Sequence, residues 1–241
     1  MEKTHKLAIY YIATSNYKMG FEHFKKNLPF LFPNMEKTVV ILSDGLREWD
    51  NVVEDNIIYK VYYIDHFCWP IITLFKMKYI KDHKVDCDYA CYFNANLQFN
   101  KDYDYSTNNI DLTGLNLSRH CTCDENSEFD GSGYAWAINK ESQAYIEEPY
   151  TYVIGGLFLG PSEIVYKMCE EVSDMVEKDL KRNIIPQWHD ESYLNKWRLQ
   201  NKNLVIPPKK IISYKQFIWD KPFAIIETIE KDRRTDKRYF N

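Results

Sequence analysis

Short runs of β-branched and aromatic residues alternate with helix-patterned stretches through the first 95 residues. Residues 6–14, 38–42, 57–64 and 89–93 read as strands. Between them, 17–28 and 70–82 show apolar spacing of three and four; Ile71, Leu74, Phe75, Met77 and Ile80 line one face of the second. A helix between two strands returns the chain to the starting edge of a sheet, so this alternation predicts an α/β fold with a mixed, mostly parallel sheet and flanking helices. The second half is less regular. Pro161 is expected to open a helix at its first position, with Ile164, Val165, Met168, Val172, Met175, Val176 and Leu180 forming its core face. A last helix is expected to start near Asp190.

The 241 residues suffice for one well-buried core, so residues 1–241 are expected to form a single catalytic domain. With 19 Tyr and 6 Trp the chain has apolar area enough to fold despite its charges. A formal net charge of −4 argues against a nucleic-acid partner. The apolar run from Leu7 to Ile12 is far shorter than the roughly 20 residues of a membrane span. No small-residue cleavage site follows it, so no membrane span and a cytoplasmic location are expected. His120, Cys121 and Cys123 invite a zinc reading, but no second pair has the spacing to complete it; reduced thiols are expected instead.

In open α/β sheets ligands bind beyond the carboxyl ends of the strands. Two polar clusters open there: Ala13-Thr14-Ser15-Asn16-Tyr17 after the first strand, and Asn94-Ala95-Asn96 after the fourth. Many nucleotide-sugar transferases carry Asp-x-Asp at the second place, where two carboxylates hold a divalent metal against the diphosphate. Asp86 and Asp88 have the right chemistry on the wrong side of the strand, and read as solvated loop residues. Asn94 and Asn96 have the right place with amides, which serve a hard cation poorly but hydrogen-bond sugar hydroxyls. Gly155, Gly156 and Gly160 interrupt an apolar run, which suits a backbone approached closely by a ligand or a bulge. Trp188-His189-Asp190-Glu191-Ser192 closes the set. There Asp190 is expected to cap the last helix, leaving Glu191 in its first turn, held ionised by the helix dipole.

Asn94-Ala95-Asn96, Ser142-Gln143-Ala144-Tyr145-Ile146, Ile154-Gly155-Gly156-Leu157-Phe158 and Trp188-His189-Asp190-Glu191-Ser192-Tyr193-Leu194-Asn195 occur in this order. Together they resemble glycosyltransferase family 6, the family of the blood-group A and B transferases and α1,3-galactosyltransferase, over about residues 7–220. The resemblance implies a GT-A fold and a UDP-sugar donor. It also implies transfer with retained configuration to the 3-hydroxyl of galactose. By the same resemblance Glu191 matches the catalytic glutamate, at the acceptor side as well. His189 and Asp190 match donor-sugar contacts, and Ile12, Ala13, Thr14 and Tyr17 the uridine pocket. Lys76 stands where the family usually has an arginine near the donor. Trp188 and Asp220 match acceptor contacts.

Asn94 and Asn96 depart from the manganese-binding carboxylates of vertebrate members and resemble the bacterial branch, so no metal cofactor is expected. The diphosphate charge would then fall to Lys76 and to a basic tail, residues 228–241, expected to close as a lid that brings Lys231, Arg233 and Arg234. In the family, the residues matching Ile154 and Gly156 line the pocket for the sugar's C2 substituent. Glycine at 156 leaves room for an N-acetyl group, so UDP-GalNAc is the expected donor. A fucosylated galactoside is the expected acceptor, by resemblance to the blood-group transferases. The alternatives are an α1,3-galactosyltransferase using UDP-Gal and an inactive sugar-binding relative; retention of Glu191 favours an enzyme.

Overall fold

The structure is a computed structural model that describes residues 4–95, 104–107, 109–119, 139–147 and 150–207. The chain opens with β1 (Lys6–Ile12), a 3₁₀ turn over Ser15–Gly20 and the short helix α1 (Phe21–Lys25). Next come β2 (Glu36–Ser43), β3 (Val53–Glu54) and β4 (Ile57–Tyr63), then α2 (Ile71–Leu74), α3 (Lys76–Asp82) and β5 (Tyr89–Asn94). The remaining elements are β6 (Asn116–Arg119), β7 (Val153–Pro161), α4 (Ser162–Leu180) and α5 (His189–Gln200). The strands form one seven-stranded sheet in the order β3-β4-β2-β1-β5-β7-β6. Its centre, β4-β2-β1-β5, is parallel; β3, β7 and β6 add antiparallel pairs at the edges. This is the mixed α/β architecture expected, consistent with a GT-A-like glycosyltransferase fold.

The central strands read as nearly unbroken apolar runs because both sheet faces are covered. Alternate residues of β1 divide between two cores. Leu7, Ile9 and Tyr11 meet Phe21, Phe24, Leu28 and Phe32 on one face. Ala8, Tyr10 and Ile12 meet Ile71, Leu74, Met77, Val165, Met168 and Tyr193 on the other. The second face therefore carries α2 to α5, and with them the residues of the site.

Four local expectations shift. The stretch 70–82 is two helices joined at Phe75, and 17–28 divides between 3₁₀ turns and the five-residue helix α1. Pro161 ends β7 and precedes α4 in an extended conformation (ψ 133°), so its ring sits one residue outside the first helical position. Asp88 is less solvated than expected: it accepts from the Lys6 backbone N–H at 2.9 Å and ties the start of β5 to that of β1, while Asp86 is exposed beside Lys6.

Sheet order decides where a ligand can sit. From β1 the chain steps outward through β2 to β4, then returns to β5 on the other side of β1. The topological switch point therefore lies between β1 and β5, whose last residues, Ile12 and Asn94, are directly paired. No helix among the described residues is long and apolar enough to cross a membrane.

Candidate active site

The switch point gathers the two polar clusters. Ala13 N–H donates to Leu42 O at 3.0 Å, extending β1 past Ile12, and Ser43 Oγ donates to Ala13 O at 2.6 Å. Asp44, after β2, accepts from Ser15 N–H and pairs with Lys18 at 2.9 Å. These contacts hold the turn bearing Thr14 and Tyr17 beside the carboxyl end of β1. His66 Nδ1 lies 3.0 Å from Thr14 Oγ1. Across the gap, Asn94 is partly exposed and Ala95 buried. Tyr92 Oη donates to Asn94 Oδ1 at 2.5 Å, an i to i+2 contact along one strand face. Asn96, Asp220, Lys231, Arg233, Arg234, the tail 228–241 and the cluster His120, Cys121, Cys123 lie outside the described residues. Cys87, Cys91 and Cys169 form no disulfide among the described residues.

The glycine run becomes a bulge. β7 pairs with β5 as far as Leu157, opposite Phe93, and with β6 at Phe158, but its next partner there is Arg119 opposite Val153. Residues 154–156 therefore bow out of the ladder, as bulges do beside active sites. The bulge frees the backbone of Gly155 for side chains: its N–H donates to Glu191 Oε1 at 2.9 Å and its carbonyl accepts from Lys76 Nζ at 2.5 Å. A Cβ at 155 would collide with Asp190 Oδ2 and stand 3.0 Å from Glu191 Cγ and 3.1 Å from Lys76 Nζ. Only glycine allows this approach. Gly155→Ala is therefore expected to cost about 1–3 kcal/mol by overpacking and to lower kcat, read as a drop in Tm together with steady-state rates. A variant unchanged in both contradicts the close approach.

Three ionisable side chains meet at this bulge. Lys76, at the start of α3, is 3% exposed and pairs with Asp190 Oδ2 at 2.6 Å, with its Nζ 4.7 Å from the centre of the Tyr92 ring. Asp190 does not cap α5. Trp188 occupies the cap position without a side-chain capping bond, and Asp190 sits inside the first turn, aimed at Lys76. A buried ammonium outcompetes backbone N–H groups for this carboxylate because the charge pair is stronger at low dielectric.

Glu191 is partly buried and accepts from Gly155 N–H and from Tyr152 Oη. Its expected ionised state is corrected by the fold. Burial, and then the negative Asp190 beside it, push the Glu191 carboxyl up to about 7, against the opposing hydrogen bonds and Lys76. One ammonium shared by two adjacent carboxylates leaves one charge uncompensated, and desolvation outweighs the helix dipole.

His189 is buried, packs edge-on against Trp69 with ring centres 4.6 Å apart, and has φ 49°. Left-handed backbone at a non-glycine residue costs on the order of 1–3 kcal/mol and persists where surroundings impose it, often at functional sites. Burial lowers the His189 pKa, so the ring is neutral near pH 7 and both donates and accepts. Trp188 packs beside Ile154 against Ile146, Tyr150 and Tyr152. Ser142 and Gln143 dock on the buried Asp179, which also accepts from Tyr193 of α5, so this motif supports the helix bearing Glu191.

Residues expected at the donor and acceptor are thus split between two neighbouring groups. Ile12, Ala13, Thr14, Tyr17, Asn94 and Ala95 stand at the switch point. Lys76, Ile154, Gly155, Gly156, Trp188, His189, Asp190 and Glu191 stand around the bulge. Tyr92 bridges them, touching Asn94 by its hydroxyl and Lys76 by its ring face. Sequence reasoning missed Tyr92, Tyr152 and Trp69. Period two from Asn94 flags Tyr92; nothing local to Tyr152 or Trp69 signals their contacts.

The chain is similar in sequence to known glycosyltransferases. A sequence model of glycosyltransferase family 6 matches residues 59–238. The O-antigen biosynthesis glycosyltransferase WbnI of Escherichia coli is 28% identical over 211 residues, covering 82% of this chain and 84% of that protein. Histo-blood group ABO system transferases 1 and 2 of Rattus norvegicus are 35% and 32% identical over 103 residues, 42% of this chain and 28% and 29% of theirs. The family match spans most of the chain, including every element from β5 to α5, and this chain belongs to glycosyltransferase family 6.

Proposed function

We propose that this glycosyltransferase moves N-acetylgalactosamine from UDP-GalNAc to the 3-hydroxyl of a 2-fucosylated galactose. The linkage formed is α1,3, configuration is retained and no divalent metal is needed. The observation that carries the reading is the bulge of β7. It brings Ile154-Gly155-Gly156, which matches the family's pocket for the sugar's C2 substituent, against the α5 turn bearing Glu191. A carboxylate beside that pocket suits the positive charge that develops at an anomeric carbon when the diphosphate leaves. The similarity to histo-blood group transferases supports the acceptor, and the amide of Asn94 at the end of β5 supports independence from metal.

In this reading the switch-point residues Ile12, Ala13, Thr14 and Tyr17 hold uridine. Asn94, Ala95 and Asn96 face ribose and sugar, while His189 and Asp190 hold the sugar hydroxyls. Lys76 acts on the donor through Asp190, because its ammonium is already engaged by that carboxylate and by Gly155 O. The diphosphate charge then falls mainly to Lys231, Arg233 and Arg234, and the acceptor to Trp188 and Asp220.

One set of reactions tests the reading. UDP-GalNAc and UDP-Gal are each offered with lactose or 2′-fucosyllactose, in EDTA, and the product linkage is read from its anomeric proton. The expected result is α-linked GalNAc on the fucosylated acceptor, at rates unchanged by chelation. Faster turnover of UDP-Gal overturns the donor, equal rates on the two acceptors overturn the fucose requirement, a β-linked product overturns retention, and manganese-dependent recovery overturns independence from metal.

A further inference from the structure

Glu191 is held by more than its own helix. Its Oε1 accepts from Gly155 N–H at 2.9 Å, and its Oε2 accepts from the Tyr152 hydroxyl. Tyr152 lies just ahead of β7, is 1% exposed, and packs its ring with Ile146, Tyr150 and Ile154. With one donor on each oxygen, the carboxylate cannot rotate about its terminal torsion without breaking a bond. The backbone donor is rigid, and the phenol is clamped by packing.

We propose that Tyr152 is a positioning residue that fixes the orientation and charge of the Glu191 carboxylate. This rests on the reading of Glu191 as the group at the reacting carbon. A phenol O–H donates best to an ionised acceptor, so it favours the charged carboxylate and restrains the opposing pull of burial. Desolvation and then the neighbouring Glu191 push the Tyr152 phenol far above its usual range, so it stays a donor at every working pH. Among the described residues, the titratable and charged groups facing Glu191 are Asp190 on its own helix, Lys76 from α3 and Tyr152 from the approach to β7. Asp190 and Lys76 form a 2.6 Å pair, in which Asp190 raises the Glu191 pKa and Lys76 opposes it. Among the described residues, Tyr152 is then the side chain that bonds Glu191 directly and can be altered without breaking that pair.

Tyr152→Phe removes one oxygen and keeps the ring. The expected result is a kcat lower by about 10- to 100-fold at pH 7, the size of a lost hydrogen bond to a charged group, with donor KM within about threefold. The acidic limb of the pH–rate profile should move alkaline by roughly one unit, so that part of the loss is recovered at higher pH. A packing role would lower the rate equally at all pH, and would add its loss to that of Glu191→Gln; a positioning role adds nothing in that background. Tyr152→Phe within threefold of the wild type, an unmoved limb, or a fully additive double variant overturns the proposal. Glu191→Gln at near wild-type rate removes the reading of Glu191 itself, and with it the role of the tyrosine. A fold check by thermal melting accompanies each variant.

Discussion

Glu191→Gln is expected to lower kcat by roughly 10²–10⁴ while donor binding is largely kept. The substitution keeps shape and one acceptor oxygen but removes the charge that, in the proposed reaction, would stabilise an oxocarbenium-like centre. The buried setting adds a pH signature. The carboxyl titrates near 7 in place of its ordinary 4.5. Activity that needs the ionised form should therefore climb with pH through about 7, and Glu191→Gln should abolish that limb. Stability runs the other way. Because the folded state holds this proton more tightly than the unfolded chain, Glu191 costs nothing below about pH 4.5. Its cost grows as pH rises from there to about 7 and is constant above. Glu191→Gln should then melt at the same or a higher temperature than the wild type at pH 8. A strongly destabilised variant contradicts the linkage, and one within tenfold of wild-type kcat contradicts the role.

Lys76→Met has the largest expected effect on stability. The ammonium is 3% exposed and bonds Asp190 and the bulge carbonyl of Gly155. Methionine fills the same volume but strands Asp190, 8% exposed, next to Glu191. Breaking a buried pair from one side costs about 3–5 kcal/mol. For a chain of this size that is roughly 6–20 °C in Tm. The double variant Lys76→Met with Asp190→Leu removes both charges and should recover much of the loss, since a buried pair is often close to neutral against apolar residues of similar volume. If the single variant melts as the wild type does, or the double is no more stable than the single, the ion pair does not carry the bulge.

Much of the fold was legible because its signals are local. The strand runs of β1, β2, β4 and β5 and the apolar spacing of α4 are properties of a few adjacent side chains, and the structure places those elements within a residue or two of their expected bounds. The helices over 17–28 and 70–82 were less well read. Where 3₁₀ turns replace helix, or a helix breaks at Phe75, the choice lies with packing against the sheet. The glycine run announced an unusual backbone but left bulge and ligand contact undecided. Both readings meet in it, since the bulge exists to admit the side chains of α5.

The sequence by itself determined the α/β class, the position of a polar cluster after the first and fourth strands, and the presence of Glu191 in the opening turn of a helix. Those follow from periodicity and chain order. Only the tertiary structure decided what the charges do. Asp190 finds Lys76 across 114 residues, Glu191 finds Tyr152 across 39, and Gly155 meets all three ionisable groups by leaving the ladder. Protonation and partnership depend on burial and on which charges arrive from distant segments. Helix position alone favoured an ionised Glu191; desolvation beside Asp190 reversed that, because removing water from a carboxylate outweighs the fractional charge of a helix end.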